Sequence, residues 1–370
     1  MSKESVVANK EPFVRILKRD TISKGKAMSI RLIAVLLSLV VCALVIVAIT
    51  KQNPVKIYIG IIDGAIGTNR RLWVTIRDSL TLLIIAVGLT PAFKMKFWNI
   101  GAEGQILMGG AATAAVMLYF GDVMPNWLLL VVIFAASALA GMIWGLLPAI
   151  FKAYYNTNET LFTLMLNYVA MQIVTFCIVF WENPSGSNTV GIINSATRHG
   201  WFVKIFGAQY GLNIIVVLAI TIGMYIYMKY SKQGYEISVV GESQHTARYA
   251  GINVKKVIIR TMMISGAICG IAGCIIVSGA SHTISTSTAG GRGFTAIIVS
   301  WMSKFNPFIM IIVSVFLVFM QQGSIQIASQ FGLNANASDI ITGIILFFLI
   351  GCEFFINYQL EFRKKEKEVQ

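Results

Sequence analysis

The chain has 370 residues, of which 56% are hydrophobic and 12% are charged, and its formal net charge is +14. Soluble domains carry about a quarter of charged residues, so this composition excludes an ordinary soluble domain and indicates a membrane protein. In a soluble protein the positive charge would indicate nucleic acid binding, but here we attribute it to the cytoplasmic flanks of membrane helices. We therefore expect membrane lipid, and no nucleic acid, around this chain.

Apolar runs of about the length that a helix needs to cross a hydrocarbon core of roughly 30 Å recur along the sequence. They predict an all-α, polytopic membrane protein with a transmembrane domain over 30–358, a basic N-terminal tail over 1–29 and a C-terminal tail over 359–370. The ten predicted spans, in chain order, are 30–50, 79–93, 98–120, 126–151, 160–181, 212–230, 261–280, 294–302, 307–322 and 339–358.

The lysines and arginines of the connections predict the orientation of these spans. Basic residues are dense in the N-terminal tail, in the polar segment 231–260 and in the C-terminal tail, which ten spans place on one side, the cytoplasm. The connection 51–77 falls on the opposite side although it contains five basic residues. An amphipathic interfacial segment in 51–77 is one explanation of this disagreement.

The third predicted span begins in the stretch "FWNIGAEGQ", which contains Asn99, Glu103 and Gln105 among glycines. A charge at membrane depth costs at least about 2.5–3.5 kcal/mol, so it normally faces a cavity or a partner. Glu103 could cap this helix at the cytoplasmic surface, since a helix N-terminus favours a carboxylate. The alternative, which we favour, is a broken helix that presents Asn99, Glu103 and Gln105 to a polar pathway.

The third and eighth predicted spans both begin in glycine-rich polar stretches, "NIGAEGQ" and "GGRGF". Each is followed by a stronger span near a proline, Pro125 or Pro307. Paired short or glycine-interrupted segments in two halves of a membrane protein indicate a transport site. We therefore predict broken or short helices in two pseudo-repeats.

The start of the fifth predicted span, "NTNETLFTLMLNYVA", supplies three more candidate pathway residues, Asn158, Glu159 and Asn167. Simple capping is at least an equal explanation for Asn158 and Glu159, because they stand at the helix start and in its first turn. Asn167 lies about two turns into an apolar helix, where an amide requires an interhelical hydrogen bond or a pore.

The polar segment 231–260 contains a second feature, a short amphipathic helix predicted over Glu242–Ala250 and ended by Gly251 in a left-handed conformation. Such a helix could be a docking site for a soluble partner, and a plain solvated loop is an equal alternative. In the following "SGAICGIAG", the spacing of Gly266 and Gly270 predicts close packing against another helix.

The sequence contains no pattern that is typical of a metal site, a catalytic site or a nucleotide-binding loop. The three histidines are scattered, and the five cysteines fall inside apolar runs without ligand spacing, so we expect no metal site, disulfide or catalytic residues. The sequence also has no phosphate-binding G-x-x-x-x-G-K-[ST] loop. We expect no cofactor on this chain and no enzymatic activity, with any ATP hydrolysis on another polypeptide.

The stretches "FWNIGAEGQ", "NETLFTLMLNYVA" and "VGESQHTARYAGINVKK" together resemble the permease subunits of bacterial ABC importers. The closest resemblance is to the branched-chain amino acid/ribose-type permease family, in its nucleoside and simple-sugar subgroup, and within it to the larger of two paralogous permeases. It extends from about residue 80 to the last span.

The resemblance implies partners in a bacterial cytoplasmic membrane, with the N-terminus of this chain in the cytoplasm. A second, paralogous permease would enclose the pathway, ATP and Mg²⁺ would bind to separate ATPase subunits, and a substrate-binding lipoprotein would deliver substrate outside. The ATPases would dock on a coupling helix near 242–251, with Arg248 and Tyr249 as contacts. An Asn-Pro common in the family is replaced here by Ser243-Gln244, which leaves the helix start open. The residues assigned to the coupling helix are Gly241, Glu242, Ala247, Arg248, Tyr249, Ala250 and Gly251.

The resulting hypothesis is a permease that imports nucleosides by alternating access, with purine nucleosides favoured. Simple sugars such as ribose are the first alternative substrate. An ion-coupled secondary transporter with Glu103 as its ion site is an alternative of another class. The exact substrate and the choice between two copies and two different permease chains stay open at this level.

Overall fold

A computed structural model describes residues 14–19, 22–51, 53–205, 207–208, 210–332 and 335–362. Much of the two predicted tails, at 1–13, 20–21 and 363–370, lies outside these residues. The helices are α1 (Lys24–Thr50), α2 (Pro54–Ile66), α3 (Asn69–Lys94), α4 (Ala102–Phe120), α5 (Asn126–Tyr155), α6 (Glu159–Trp181), α7 (Gly211–Tyr230), α8 (Lys232–Glu242), α9 (Gln244–Tyr249), α10 (Val254–Ile276, continued by a π-helical turn over Val277–Ser281), α11 (Arg292–Met302), α12 (Pro307–Gln330) and α13 (Ala335–Asn357).

Eight of the described helices are long and apolar enough to cross a membrane by length and composition. They are α1, α3, α5, α6, α7, α10, α12 and α13. The other two predicted spans are the ones with glycine-rich starts. The first, α4, has 19 residues, but its polar and glycine residues lower its hydropathy. The second, α11, has 11 residues, which at about 1.5 Å per residue reach only about halfway across a membrane.

Two predicted connections are wrong in extent, because both are largely helical. In 51–77 the structure has α2 and the beginning of α3, whose first turn is capped by Thr68 through a 3.2 Å hydrogen bond from the amide of Arg71. In 323–338, α12 continues to Gln330. The predicted connections are the stretches between apolar runs, but their polar side chains find partners within helices, as Ser324 does with Thr342 at 3.3 Å between their hydroxyl oxygens.

The first of two compact units comprises residues 1–64 and 323–370. Within it α1 packs along α13, where the Arg31 guanidinium donates to the Glu353 carboxylate at 2.6 Å. Strands β1 (Val14–Lys18) and β2 (Tyr358–Phe362) form an antiparallel pair with Arg15 opposite Glu361. The all-α prediction did not include this small sheet, which joins parts of both predicted tails.

The second unit comprises residues 65–322 and is built around α10. The spanning segment of α10 is 78% buried, and that of α5 is 33% buried. A Cβ atom on Gly266 would collide with the carbonyl oxygen of Gly141, and one on Gly270 with that of Ser137. The predicted close packing at these two glycines is therefore present, between α10 and α5, and it leaves the other faces of α5 available to lipid.

Candidate translocation site and connecting helices

The helical path is interrupted between the end of α3 at Lys94 and the start of α4 at Ala102. The backbone groups of this break are bonded by side chains of α6. Asn167 accepts a hydrogen bond from the amide of Gly104 at 2.9 Å and donates one to the carbonyl of Ile100 at 2.9 Å. Thr163 accepts from the amide of Ile100 at 3.2 Å. Asn167 thus makes the interhelical hydrogen bonds expected of a buried amide, and it stabilises the break.

Two further amides, Asn99 and Gln105, form the interior of the break and are almost completely buried. The side-chain oxygen of Asn99, Oδ1, accepts a hydrogen bond from the backbone amide of Gly101 at 3.0 Å and another from the side-chain amide of Gln105 at 3.4 Å. The Asn99 side chain also donates to the hydroxyl of Ser265 at 3.4 Å, near the middle of the Val254–Ser281 span. The break therefore lies at mid-span, where its two amides bond to each other and to α10.

Glu103 lies in the first turn of α4, but its carboxylate is bonded to a different helix. Its Oε2 atom accepts a hydrogen bond of 3.1 Å from the amide of Gly293, in the first turn of α11. A Cβ on Gly293 would lie 2.8 Å from the Glu103 amide nitrogen and 3.0 Å from Oε2. The glycine-rich starts of the two short helices therefore meet, and the positive end of the α11 dipole stabilises the carboxylate.

Asp78, on α3, is a second carboxylate of this region, and the sequence analysis did not select it. The residue is 7% exposed, and its carboxylate accepts hydrogen bonds from Arg77 Nε at 2.9 Å and from Gln322 Nε2 at 2.8 Å. Arg292 Nη2 lies 3.6 Å from its Oδ1 atom. The N-terminus of α11 is thus adjacent to both carboxylates. A charged residue at membrane depth was the available signal, but the predicted span began at residue 79 and left Asp78 outside.

Asn158 and Glu159 are not part of this network. Asn158 caps α6 by accepting from the amides of Thr160 and Leu161 at 3.0 and 3.2 Å. Glu159 forms an ion pair of 2.8 Å with Lys152 at the end of α5. The Asn158 side chain thus caps the helix start and the Glu159 side chain pairs with α5, so neither contacts the Glu103 region in the described structure.

The polar segment 231–260 forms two helices, where the sequence predicted one short helix near 242–251. Glu242 is the last residue of α8, and Ser243 is extended, with φ −156°. The Ser243 hydroxyl accepts from the amide of Thr246 at 3.2 Å, so it caps α9 and fixes its start at Gln244. Gly251 has φ +75°, the left-handed conformation predicted for it just after the helix.

One side of α9 is anchored and the other is exposed. Ala247 is fully buried in an apolar cluster that includes Ala92 of α3, Ala149 of α5 and Val257 of α10. On α8, a Cβ at Gly241 would collide with the carbonyl oxygen of Lys94. Every other residue of α9 is exposed, including Arg248 and Tyr249, and Tyr249 is 92% exposed. The flanking residues Glu242, Ala250 and Gly251 are exposed as well.

Short or interrupted helices that meet around buried, bonded polar side chains are typical of membrane transport proteins. The family described as "Branched-chain amino acid transport system / permease component" matches residues 71–350, and the chain belongs to this family. It is therefore a multi-pass membrane permease, a transport component.

Three relatives are similar to the chain over most of its length. The guanosine ABC transporter permease protein NupP of Bacillus subtilis (strain 168) is 28% identical over 321 residues, 86% of this chain and 91% of NupP. The nucleoside ABC transporter permease protein NupB of Lactococcus lactis subsp. cremoris is 26% identical, with 91% and 94% covered. The glucose ABC transporter permease protein TsgB13 of Haloferax volcanii is 25% identical, with 92% of each chain covered.

Proposed function

We propose that this chain is the membrane-spanning permease of an ATP-driven importer of nucleosides, with purine nucleosides favoured. The observation that supports translocation most directly is the meeting of α4 and α11, where the Gly293 amide donates to Glu103 Oε2 at 3.1 Å in a permease-family chain. The substrate rests on two relatives, named as guanosine and nucleoside permeases. The importer would lie in a bacterial cytoplasmic membrane with the N-terminus of this chain inside.

Energy would come from partner ATPase subunits that bind ATP and Mg²⁺ and move together. Arg248 and Tyr249 would contact them, because both side chains are exposed on α9. Movement of α9 would reach α3 through Ala247 and through Gly241, which packs against Lys94. The chain leaves α3 at Lys94 and enters the break before α4, so the coupling helix and the broken helix are mechanically connected.

The polar residues of the break divide into two proposed roles. Glu103 would line the pathway, since it is only partly buried and its carboxylate lies between two helix starts. Asn99, Gln105 and Asn167 would position the break, because their amides are buried and bonded to backbone and to each other. Alternating access would then consist of movement of α4 and α11 relative to one another while these amides preserve the break.

Two further partners complete the proposed importer. A second permease, a paralogue of this chain, would enclose the pathway with it, and a substrate-binding lipoprotein would deliver the nucleoside from outside. Helix α6 suits an interface with the second permease or with lipid, since it exposes large apolar side chains such as Phe176 and Phe180, each 72% exposed.

The direct test is uptake of labelled guanosine by intact cells with and without this chain, in competition with excess uridine, ribose and leucine. The proposal expects uptake to fall without the chain and only nucleosides to compete. Unchanged guanosine uptake together with reduced ribose uptake would instead assign the chain to sugar import, the second candidate. That candidate is favoured by the similarity to a relative named as a glucose permease.

The mode of energy coupling needs a separate measurement. Guanosine uptake would be followed after ATP depletion while the membrane potential is maintained by an imposed ion gradient. Loss of uptake is the expected result. Undiminished uptake would refute the ATP-driven mechanism in favour of an ion-coupled carrier in which Glu103 is the ion site.

A further inference from the structure

A cavity of about 220 Å³ lies beside Asp78, at the N-terminus of α11, and we call it the hydroxyl chamber. One end is formed by Arg77, Asp78 and Arg292, and the rest mainly by hydroxyl side chains. Those side chains are Thr81, Ser281, Thr283, Ser285, Ser287 and Thr288. The lining contains no aromatic residue, so a flat base has no surface on which to stack, whereas a molecule rich in hydroxyl groups finds many donors and acceptors.

The charged end of this chamber has capacity for a further ligand. A carboxylate offers about four acceptor positions, and the Asp78 carboxylate accepts hydrogen bonds from Arg77 at 2.9 Å and Gln322 at 2.8 Å. The 3.6 Å separation from Arg292 is longer than a hydrogen bond. Two adjacent hydroxyl groups could therefore donate to Asp78 and accept from the Arg292 guanidinium without breaking the hydrogen bonds already present.

The size of the chamber restricts what can enter. Sites that enclose whole drug-sized ligands measure about 300–1,000 Å³, so a chamber of about 220 Å³ suits one small ring. A larger cavity of about 730 Å³ shares Ala280 with it, and we call this the aromatic chamber. Its lining includes Trp201 and His282, whose rings stack with centroids 3.6 Å apart. Tyr210 also lines the aromatic chamber. The guanidinium carbon of Arg77, which lines the hydroxyl chamber, lies 5.6 Å from the centroid of the Tyr210 ring.

We propose that the hydroxyl chamber binds the sugar ring of the transported nucleoside, with Asp78 and Arg292 contacting its vicinal hydroxyl groups. The base would extend past Ala280 toward the aromatic chamber, where flat rings are available for stacking. This inference rests on the proposed nucleoside function and names the determinants of its specificity. Binding engages Arg292 next to Gly293, so occupation of the chamber is communicated to the Glu103 hydrogen bond.

The test measures uptake of guanosine, 2′,3′-dideoxyguanosine and guanine by cells that contain the complete transporter. Wild-type uptake should favour guanosine over the other two by about tenfold or more, because hydrogen bonds to a buried charge contribute strongly to discrimination. Asp78→Asn should lower the ratio of guanosine to dideoxyguanosine uptake by about tenfold. A ratio is measured because a general loss of folded protein lowers both rates equally.

Thr81→Val is the second variant, in case Asp78→Asn does not insert, and it should lower the same ratio by about threefold. Its matched control is Thr90→Val. Both threonines are buried on α3 and bond to the carbonyl four residues earlier, but only Thr81 lines the hydroxyl chamber. The control should leave the ratio unchanged.

Three results would overturn the inference alone. They are equal wild-type uptake of guanosine and dideoxyguanosine, an unchanged ratio in an Asp78→Asn variant that reaches the membrane, and an unchanged ratio in Thr81→Val. In each of these cases guanosine import by this chain would survive. Guanosine uptake that does not depend on the chain at all would overturn the proposed function and this inference together.

Discussion

The carboxylate of Glu103 accepts a 3.1 Å hydrogen bond from the backbone amide of Gly293, which joins the first turns of α4 and α11. The hydrogen bond connects two short helices that the chain separates by 190 positions. It satisfies one of the amides that every helix start leaves without an intrahelical partner, and it places the negative charge where the helix dipole favours it. The same contact therefore stabilises a charge among the spanning helices and fixes the relative position of the first turns of α4 and α11.

Replacement of Gly293 by alanine tests this junction. The new Cβ would lie 2.8 Å from the Glu103 amide nitrogen, a backbone atom that cannot move aside independently. Overpacking of this kind costs about 1–3 kcal/mol, so we expect Gly293→Ala to lower both thermal stability and guanosine uptake at equal membrane abundance. Gly223→Ala on α7 is the control, because a Cβ there meets no atom within 4 Å. Equal uptake by the two variants would contradict the importance of the junction.

Asn167→Leu tests the support of the break from α6. The change leaves the amide of Gly104 and the carbonyl of Ile100 without their side-chain partner. Each unsatisfied buried group costs about 1–3 kcal/mol, so thermal unfolding of the purified protein in detergent should shift to clearly lower temperature. Thr175→Val on the same helix is the control, since Thr175 is exposed and bonds only within α6 in the described structure. A shift no larger than that of the control would show that the break does not depend on Asn167.

The double substitution Arg248→Ala and Tyr249→Ala tests the docking role proposed for α9. Both side chains are exposed, whereas Ala247 anchors the helix, so the variant should insert and unfold like the wild type. We expect guanosine uptake to be lost because ATP hydrolysis by the partner subunits no longer drives it. The control is Lys232→Ala with Tyr235→Ala, which removes an exposed basic and aromatic pair from α8. Wild-type coupling of ATP hydrolysis to uptake in the α9 variant would refute the docking role.

The stacked pair of Trp201 and His282 predicts a dependence of stability on pH. His282 lies just beyond the Val254–Ser281 span, and burial lowers the pKa of its imidazole below the usual value. The unfolded chain therefore protonates His282 at about pH 6.5, whereas the folded protein protonates it only at lower pH. The stability that comes from burying the neutral imidazole is present at higher pH and is lost as the pH falls. The melting temperature should drop more between about pH 7.5 and about pH 5.5 in the wild type than in His282→Phe. Equal drops would contradict this assignment.

Local sequence patterns predicted much of the fold because they report local properties. Apolar runs indicated the spans, and the spacing of Gly266 and Gly270 indicated close helix packing. The same patterns failed where a polar residue finds its partner elsewhere in the chain. Ser324 fell just beyond the predicted span 307–322, yet it lies inside α12 with its hydroxyl beside that of Thr342. Ser243 was treated as part of a helix, yet its short hydroxyl side chain ends α8 and caps α9.

The residues of the candidate site were also only partly predictable from local sequence patterns. The sequence indicated Glu103 and Asn167 because a charge or an amide in an apolar segment is costly without a partner. It could not identify those partners, and it missed Asp78, which lies one residue before the predicted span. Asn158 and Glu159 were selected with the others, but Asn158 caps its own helix and Glu159 pairs with Lys152, so both contacts are local and lie apart from the break.

The sequence by itself determined that this protein lives in a membrane, crosses it many times, and has polar residues at depth in glycine-rich, interrupted helices. These properties follow from composition and from periodicity over a few turns. Only the tertiary structure decided that Glu103 bonds to Gly293, that Asp78 lies beside Arg292, and that Ala247 is buried in an apolar cluster with residues of α3, α5 and α10. The physical reason is that such contacts join residues far apart in the chain, and their energies depend on packing that no local pattern contains.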